Sequence, residues 1–454
     1  MKYEQALLKL QAINQQHLLA YWDALGDAEK NALLSQIDSL NIPTLLTQQR
    51  HILNPTQYTT QTTTIEPFYD YIQADTLSDA DLSTGKKLIS AGSVGCLIVA
   101  GGSGSRMRFD GPKGAFPISL IKKKSLFQQL AEKTLAAGKQ AGKDLHIAFM
   151  TSHQNNHDTM KFFKSHSYFG LKPEQVNFFV QDDLPLLDKS GNLFLEDASR
   201  IAVGPDGNGG ALAHFVSSHV WEKWHGLGIK YVNFILIDNL FANPFDAGLV
   251  GFQDNHQAEI VMKCTARANA AEKVGVVAKK EGLIGVVEYF ELPEKERGET
   301  TADGKLTYHC ANLSLFSFSM DFIKKAAAVN LPLHVALKAV KQLKEGVSAL
   351  SDEPNGWKSE RFIFDLLQEA KNVRVLMFER KTCFAPLKNA SGPDSPETVR
   401  QALLEHERQI IAEITGHAAP EKPIELDPQF YYPTPTLLKK WKGRKLPDTT
   451  YIES

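Results

Sequence analysis

A glycine-rich segment near residue 100 contains the residues best suited to phosphate chemistry. Gly101-Gly102-Ser103-Gly104 follows the apolar run 94–100, and Arg106 and then Pro112-Lys113-Gly114 come after it. Glycines let backbone N–H groups approach phosphate oxygens, and the two cations add positive charge. Such a combination suits a triphosphate, whose charge must be neutralised before another anion can attack it. The alternative is a tight strand-to-helix turn with two surface cations.

The spacing around these glycines excludes two common phosphate-binding loops. A dinucleotide-binding loop requires a further glycine two positions after Ser105, where this sequence has Met107. A Walker loop requires Gly-Lys-Ser/Thr, which the segment lacks. The segment therefore predicts a different kind of phosphate site.

A second glycine-rich run, Pro205-Asp206-Gly207-Asn208-Gly209-Gly210, precedes a helical pattern that begins near Ala211. Its glycines could place backbone against a planar ligand and open the helix toward an anion. An ordinary Asx or glycine turn would use the same residues. The two interpretations stay open at this stage.

Asp238 follows the apolar run 231–237, so it is expected at the carboxyl end of a central strand, where α/β enzymes collect their ligands. A buried carboxylate needs a cation or hydrogen-bond donors. Mg²⁺ held by one carboxylate together with phosphates and water would meet that need. The alternative is that Asp238 caps the following turn together with Asn239.

Alternating strand and helix patterns must position these residues. Strands are predicted at 94–100, 145–151, 176–181, 231–237, 259–263, 274–279, 284–289, 313–318 and 373–378, with helices at 125–138 and 156–166. This alternation predicts an α/β fold whose central sheet is twisted, mixed and mostly parallel.

The flanking regions differ in pattern from the central part. Apolar residues at three- and four-residue spacing predict two amphipathic helices between about Tyr3 and Ser39, and the polar stretch from Asn54 to Ala91 is interpreted as a connector. Prolines are frequent after about Ala385, which is typical of a loop-rich module. The expected division is therefore a helical region and connector at 1–91, a catalytic domain at 92–385 and a small C-terminal module at 386–454.

Composition excludes several classes of function. The chain has 454 residues, with 50 basic and 52 acidic side chains, so no basic excess indicates a nucleic-acid partner. The run Lys122-Lys123-Lys124 is interpreted as a solvated loop. The four cysteines show neither CxxC pairing nor zinc-ligand spacing, and no stretch reaches the ~18 apolar residues of a membrane helix. We therefore expect a cytoplasmic protein with no nucleic-acid or membrane partner.

The residues from Ala100 to Arg106, together with Pro112-Lys113-Gly114, resemble the uridylyltransferase form of the nucleotidyltransferase loop, LAGGxGTRLG followed by PKG. Further ordered matches resemble the UDP-N-acetylhexosamine pyrophosphorylases. They are QHLLAYW from Gln16, YFGL from Tyr168, AVGPDGNGG from Ala202, IDN from Ile237, VGVV from Val274, VVEY from Val286, RFIFD from Arg361 and PLKNA from Pro386. The resemblance spans roughly residues 16–390 and implies a Rossmann-like nucleotidyltransferase fold.

The resemblance also implies roles for individual residues. Arg106, Lys113 and Lys388 would act on the phosphates, and Asp238 would hold Mg²⁺. Gly101, Gly102, Gln181 and Gly207 would bind the nucleotide, with Gln181 reading the uracil edge through its amide. The sugar would be bound by Asn208, Gly275, Glu288, Asn312, Lys358, Phe362 and Phe364.

From the residues alone, four of these sugar-side residues have ordinary alternatives. Glu288 could be a solvent-facing strand residue, and the alternating pair Phe362 and Phe364 could simply pack in the core. Lys358 follows a proline turn, and isolated lysines are usually solvated.

Two departures from the family pattern affect the expected site. The family's Leu-Gly after the loop arginine is Met107-Arg108 here, which replaces a glycine with a cation. The family's NIAN run is Asn312-Leu-Ser-Leu315, which keeps only its first asparagine. Because this run lines the sugar side, the resemblance supports the nucleotide more firmly than the sugar.

The resemblance implies a reaction of UTP with a hexose 1-phosphate, with N-acetylglucosamine 1-phosphate as the first choice and glucose 1-phosphate or a broad sugar range as the alternative. A nucleotide-sugar sensor with the same fold is the non-enzymatic alternative, although the presence of Arg106, Lys113, Asp238 and Lys388 argues against it. A dehydrogenase lacks the required glycine spacing. The sequence leaves the oligomeric state open.

Overall fold

A mixed sheet of eleven strands organises the largest part of the chain. The protein is represented by a computed structural model that describes residues 1–54 and 64–454. The main path of the sheet runs through Ile72–Gln73, Val373–Phe378, Ile260–Ala266, Cys310–Ser319, Tyr231–Leu236, Val94–Val99, His146–Thr151 and Val176–Val180. All pairings along it are parallel except the two made by Cys310–Ser319. The predicted α/β fold with a mixed, mostly parallel sheet is thus confirmed.

The described residues form two compact units. The helical unit comprises residues 1–54, 182–210 and 330–362, and the sheet unit comprises Thr64–Gln181, Ala211–Val329 and Ile363–Ser454. The expected boundaries at 91/92 and 385/386 both fall inside the sheet unit. A chain that leaves a unit and later returns to it produces no composition change at the crossing, so sequence patterns gave no sign of this division.

The sheet unit carries three further strands on the same sheet, at Ile65–Pro67, Val276–Lys280 and Leu283–Val287. Its α-helices are Asp79–Ser90, Leu126–Ala141, Asn156–Ser165, Ala211–Ser217, Val220–Gly226, Ala247–Asn255, Glu294–Arg297, Met320–Ala326, Arg380–Cys383, Pro396–Thr415 and Pro435–Trp441. A two-stranded sheet pairs Glu425–Leu426 with Tyr451–Ile452. The strand Val94–Val99 lies in the main core, since Val94, Cys96 and Ile98 are fully buried.

The helical unit contains the helices Tyr3–Gln11, Asp27–Ser39 and Ile42–Leu53. Its largest sheet pairs His334–Lys338, Gly356–Glu360 and Leu187–Asp188. Three two-stranded sheets complete it: Val203–Pro205 with Asp183–Pro185, Lys341–Lys344 with Val347–Leu350, and Leu195–Asp197 with Arg200–Ile201. The helices pack on one apolar cluster that also includes Leu187, Leu193 and Ile201.

The first predicted helix ends earlier than its apolar pattern suggests. It stops at Gln11, and residues 16–19 and 22–24 form short 3₁₀ turns instead of a continuous helix. Asn14 lies in the left-handed region at φ 55°, which a helix cannot accommodate. The apolar residues therefore reach the core from turns as well as from a helix.

The predicted connector contains a helix, Asp79–Ser90, and its residues 55–63 lie outside the described residues. Ser78 caps this helix by accepting a hydrogen bond from the Asp81 N–H, and Asp81 accepts one in return from the Ser78 N–H. This reciprocal cap is visible in the sequence as Ser-x-x-Asp. The stretch therefore contains a helix that its polar composition did not indicate.

The C-terminal module is less loop-rich than expected. Helix Pro396–Thr415 spans 20 residues, begins with proline at its first turn and ends before Gly416 at φ 74°. Prolines that start a helix were misinterpreted as loop residues. Part of the module has its own apolar cluster, which includes Ile411, Phe430 and Trp441.

A buried cluster of titratable groups lies where this module meets helix Leu126–Ala141. Glu407, 2% exposed, accepts hydrogen bonds from the Tyr431 hydroxyl at 2.8 Å and the Leu426 N–H at 2.9 Å. The Lys133 ammonium lies 4.6 Å from the centre of the Tyr431 ring and donates to the Leu240 carbonyl at 2.8 Å. His406 contacts the same tyrosine ring at a centroid distance of 5.9 Å.

Among the helices of residues 1–54 and 64–454, none combines the length and apolar character that crossing a membrane requires.

Candidate functional site

The glycine loop after strand Val94–Val99 is fixed by its own backbone and by one buried amide. The Lys113 N–H donates to the Gly102 carbonyl at 3.1 Å, and the Gly104 N–H donates to the Gly111 carbonyl at 2.9 Å. The Nδ2 of Asn155, a residue 5% exposed, donates to the carbonyls of Ala100 and Gly102 at 2.9 and 3.2 Å. The loop therefore has a defined shape before any ligand contacts it.

Gln181 packs directly on this loop. A Cβ placed on Gly101 would lie only 2.6 Å from the Gln181 Nε2, so the absence of a side chain makes room for the amide. The amide is 4% exposed, and the backbone N–H of Gln181 donates to the Thr151 carbonyl at 2.9 Å. Two residues predicted for the nucleotide thus lie in contact at the same end of the sheet.

Lys113, in the loop that follows strand Val94–Val99, forms an ion pair with Asp238. The Lys113 Nζ lies 3.1 Å from the Asp238 Oδ2, and each side chain is 15% exposed. Strand Tyr231–Leu236, which precedes Asp238, pairs in parallel with Val94–Val99, so the two carboxyl ends are adjacent. Gly101, Gly102, Lys113, Gln181 and Asp238 form what we call the glycine-loop cluster.

Two arginines follow the loop. Arg106 is exposed and lies in the 3₁₀ turn Ser105–Met107. Arg108, where the resemblance expects glycine, adopts the left-handed conformation with φ 55° and ψ 37°. The backbone there keeps the shape that glycine accepts readily, and arginine adopts it at a conformational cost of about 1–2 kcal/mol.

The segment that carries Lys388 is joined to Asp238 through the backbone. The Leu387 N–H donates to the Asp238 carbonyl at 2.8 Å, and Pro386 forms a β-bridge with Asn239. The side chain of Asn239, 2% exposed, donates to the Cys383 carbonyl at 2.8 Å and accepts from the Ala385 N–H at 3.0 Å. Asn239 therefore positions this segment.

Sequence reasoning missed two buried amides that hold the site together. Asn239 was considered only as a partner of Asp238 in a turn cap, and Asn155 was not considered. Their polar types within apolar surroundings were the available signal. Their partners, however, lie as far as 146 residues away, and sequence spacing does not identify such contacts.

Gly275, Glu288 and Asn312 form a second group, which we call the Gly275 cluster. A Cβ on Gly275 would lie 3.1 Å from the Glu288 Oε1, and the Asn312 N–H donates to the Gly275 carbonyl at 2.8 Å. The Asn312 Oδ1 accepts from the Ser314 N–H at 2.9 Å, within a bulge where Ser314 has φ 51°. The three residues predicted for the sugar are thus adjacent.

Glu288 lies just after strand Leu283–Val287, although the sequence pattern predicted it within a strand. Its N–H donates to the Glu291 carboxylate at 3.0 Å, and its carbonyl accepts from the Glu291 N–H at 2.9 Å. These local hydrogen bonds replace ladder pairing and end the strand, so Glu288 belongs to a turn.

The predicted residues Gly207 and Asn208 belong to the helical unit. Gly207 has φ +90°, and a Cβ there would lie 2.3 Å from the Arg361 carbonyl oxygen. The Gly209 N–H donates to the same carbonyl at 2.9 Å, and the Arg361 N–H donates to the Asp206 carbonyl at 2.6 Å. The glycines of this turn therefore permit close approach of another backbone segment.

Lys358 and Phe362 also lie in the helical unit, whereas Phe364 lies in the sheet unit. Lys358 is on strand Gly356–Glu360, and its ammonium pairs with the Glu360 Oε1 at 2.8 Å. Phe362 contacts the His334 ring at a centroid distance of 4.8 Å.

The two phenylalanines do not lie on one strand. Phe364 is 4% exposed within the 3₁₀ helix Ile363–Glu369, whereas Phe362 precedes that helix.

Asp238 is compatible with Mg²⁺ as a single protein carboxylate. In residues 1–54 and 64–454, no group of three or more His, Cys, Asp or Glu side chains could surround a metal ion. A cation at Asp238 would therefore take most of its ligands from phosphates and water, which is how Mg²⁺ is commonly held.

This chain is similar to a known protein family, to named proteins of other organisms and to solved structures. A family model described as UTP–glucose-1-phosphate uridylyltransferase matches residues 47–424. UDP-N-acetylglucosamine diphosphorylase 2 of Arabidopsis thaliana is 32% identical, over 97% of this chain and 92% of that protein. A probable UDP-N-acetylglucosamine pyrophosphorylase of Dictyostelium discoideum is 31% identical, over 88% of each. The crystal structure of the uridine diphosphate N-acetylglucosamine pyrophosphorylase from Trypanosoma brucei, in complex with an inhibitor, superposes with a TM-score of 0.81 at 27% identity, covering 99% of this chain and 98% of that one.

Proposed function

We propose, from the premise that this chain belongs to the UTP–glucose-1-phosphate uridylyltransferase family, that it joins UTP to N-acetylglucosamine 1-phosphate and releases pyrophosphate. The chain is a nucleotidyltransferase by family. The choice of sugar follows the names of the relatives from Arabidopsis, Dictyostelium and Trypanosoma. One observation carries the proposal. Lys113 forms an ion pair with Asp238, and the segment that carries Lys388 is hydrogen-bonded to the Asp238 backbone, beside the carboxyl ends of two adjacent parallel strands.

The proposed reaction is an in-line attack by a phosphate oxygen of the sugar phosphate on the α-phosphorus of UTP. The new P–O bond forms as the bond to the bridging oxygen breaks, and pyrophosphate leaves with that electron pair. Because the nucleophile is already an anion, no proton transfer is required. The protein's task is to align two anions and to neutralise their charge.

The residues of the sheet unit divide this task. Gln181 and the backbone at Gly101 and Gly102 would bind the nucleotide, while Lys113 and Arg106 would neutralise the departing pyrophosphate. Lys388 would hold the sugar phosphate. Asp238 would hold Mg²⁺, which when bound supplies further positive charge at the phosphates.

The Gly275 cluster is proposed to bind the sugar. Glu288 offers a carboxylate to hydroxyl groups, and the NH₂ group of Asn312 offers a donor, since its Oδ1 already accepts from the Ser314 N–H. Gly207, Asn208, Lys358, Phe362 and Phe364 keep the roles that the resemblance implies, as predictions. Leu315 is 3% exposed where the family pattern has a second asparagine, so this position offers no amide to the sugar.

A pyrophosphate-release assay with different sugar 1-phosphates tests the proposal. We expect kcat/KM for N-acetylglucosamine 1-phosphate to exceed that for glucose 1-phosphate by at least about tenfold, or roughly 1.4 kcal/mol. Both sugars are compared at the same UTP and magnesium concentrations, with ATP replacing UTP as the base control. Equal or better use of glucose 1-phosphate would reject the N-acetyl preference, whereas no release with any sugar would favour a sensor.

A cytoplasmic location is part of the same proposal. The four cysteines are all buried free thiols, which is compatible with a reducing compartment.

A further inference from the structure

We propose that Glu272 and Arg380 form a clamp that positions Lys388 relative to the Gly275 cluster. This inference rests on the proposed function, because it takes Lys388 as the residue that holds the sugar phosphate. In this proposal, Glu272 and Arg380 do not contact the substrate. They act through Lys388 and through the loop that ends at Gly275, so they are positioning residues.

On one side of the clamp, each of the two carboxylate oxygens of Glu272 accepts a hydrogen bond. The Glu272 Oε1 lies 2.6 Å from the Arg380 Nη2, and the Glu272 Oε2 accepts from the Ala268 N–H at 2.6 Å. The Glu272 side chain is 14% exposed and that of Arg380 is 35% exposed. Partial burial and two short charge-assisted hydrogen bonds make this pair stronger than a typical surface ion pair.

On the Glu272 side, the clamp holds the loop that leads to the Gly275 cluster. The bond to Ala268 closes residues 268–272 on themselves, and the Val274 N–H donates to the Glu272 carbonyl at 3.1 Å. Gly275 follows, with its carbonyl bound to the Asn312 N–H and its missing Cβ leaving room for Glu288. A shift of Glu272 would therefore be transmitted to Glu288 and Asn312.

On the Arg380 side, the clamp supports the aromatic ring beside Lys388. The guanidinium carbon of Arg380 lies 4.9 Å from the centre of the Phe384 ring, and the Lys388 ammonium lies 5.6 Å from the same centre. Both cations are attracted to the π-electrons of this ring. Glu272 balances the charge of Arg380, which leaves Lys388 as the cation available to a phosphate.

Charge-removing substitutions test the clamp. In Arg380→Gln and in Glu272→Gln, we expect KM for the sugar 1-phosphate to rise about tenfold while KM for UTP stays within about twofold. The double variant should be no worse than either single variant, because residues that act as a pair are not additive. Arg380→Lys, which restores the charge without the planar fork, should recover part of the loss.

Matched controls separate the clamp from general charge effects. Lys325→Gln breaks the Lys325–Glu259 pair at 3.1 Å in the same unit, and it should change neither KM. Phe384→Leu keeps an apolar side chain but removes the ring, and it should raise KM for the sugar 1-phosphate as Arg380→Gln does. This variant also tests the clamp should the charge variants fail to fold.

Lys388→Ala distinguishes failure of the clamp from failure of the proposed function. If Lys388→Ala leaves KM for the sugar 1-phosphate unchanged, the role proposed for Lys388 is wrong. If Lys388→Ala raises that KM but Glu272→Gln and Arg380→Gln do not, the clamp is overturned. Additive losses in the double variant, or equal losses for UTP and sugar, would overturn it as well.

Discussion

The two glycine-rich segments, 101–104 and 207–210, look alike in sequence but use their glycines differently. At Gly101 the missing Cβ makes room for the flexible end of the Gln181 side chain. At Gly207 and Gly209 it makes room for the backbone of Arg361, at 2.3 and 2.6 Å from the position a Cβ would occupy. A side chain can move aside at little cost, whereas a hydrogen-bonded backbone cannot.

This difference separates a glycine needed for folding from a glycine needed for function. An added methyl at Gly101 should therefore cost little stability while lowering activity, whereas one at Gly207 or Gly209 should lower stability first. Gly104 behaves like the second pair, because a Cβ there would lie 2.7 Å from the Phe109 carbonyl oxygen. Both motifs suggested ligand binding from sequence, yet in the second the close approach is between two parts of the protein itself.

The largest effect is expected from Gly207→Ala. The added methyl would clash with the Arg361 carbonyl at φ +90°, so we expect the free energy of unfolding to fall by about 3 kcal/mol in chemical denaturation. Gly346→Ala in the same unit is the control, because Gly346 has φ +79° with nothing within 4 Å of the added atom. It should cost only about 1 kcal/mol. Equal losses in the two variants would mean that the close backbone approach is unimportant.

Next in size is the effect of Lys113→Ala on catalysis. We expect kcat/KM for UTP to fall about 100-fold, or roughly 2.7 kcal/mol, because the lost cation is the one proposed to neutralise the pyrophosphate. The melting temperature and the affinity for UMP should change little. Lys172→Ala, which breaks an exposed ion pair with Asp144, is the control. Equal weakening of UMP and UTP would place Lys113 away from the pyrophosphate.

Gly101→Ala should have a smaller effect, and mainly on the nucleotide. Displacement of the Gln181 amide should raise KM for UTP about tenfold, with a loss of stability below about 1 kcal/mol. Gly226→Ala in the same unit is the contrast, since nothing lies within 4 Å of the position of its added atom. If Gly101→Ala still raises KM when Gln181 is also alanine, the effect does not act through Gln181.

The smallest effect is expected from Arg108→Gly. Glycine would relieve the left-handed strain of about 1 kcal/mol but would lose more conformational entropy on folding, so a net gain of about 0.5 kcal/mol remains. Lys123→Gly is the control, because Lys123 has the same φ of 55° in another loop. Both variants should gain stability alike, and only Arg108→Gly should raise KM for UTP, by about twofold. A loss of stability in both would show that neither residue is strained.

The sequence was sufficient where structure is local and periodic. Strand Val373–Phe378 has the predicted bounds, and the strands around Val94 and His146 differ from prediction by a single residue at one end. The helix Asp79–Ser90 was missed although its Ser-x-x-Asp cap was readable, because its polar composition dominated the interpretation. The division into two units could not be predicted, since it depends on which distant segments pack together.

The candidate site shows the same limit. Glycines, cations and Asp238 were identified from their types and their places after strands. Asn155, Asn239 and Arg380 were not, because each acts through partners distant in sequence, such as Glu272 for Arg380. Residues that touch a ligand tend to lie in recognisable motifs, whereas residues that support them depend on the tertiary structure.

The buried groups around Glu407 have different pKa values in the folded and the unfolded chain, so folding takes up or releases protons. Burial raises the pKa of Glu407 to about 8, lowers that of Lys133 to about 8 and lowers that of His406 to about 4. Between pH 4.5 and 6.5 the proton that Glu407 retains on folding offsets the one that His406 gives up. From about pH 6.5 to 8 only Glu407 contributes, and stability falls as pH rises because the unfolded chain holds fewer protons there.

Above about pH 8 the sign reverses. The unfolded chain keeps the Lys133 proton up to its ordinary pKa of 10.5, whereas the folded chain has already released it, so stability recovers as pH rises. This cluster therefore gives the attachment of the C-terminal module a stability minimum near pH 8. Folding at neutral pH withdraws a proton from the buffer, and the measured enthalpy of folding should consequently depend on which buffer supplies it.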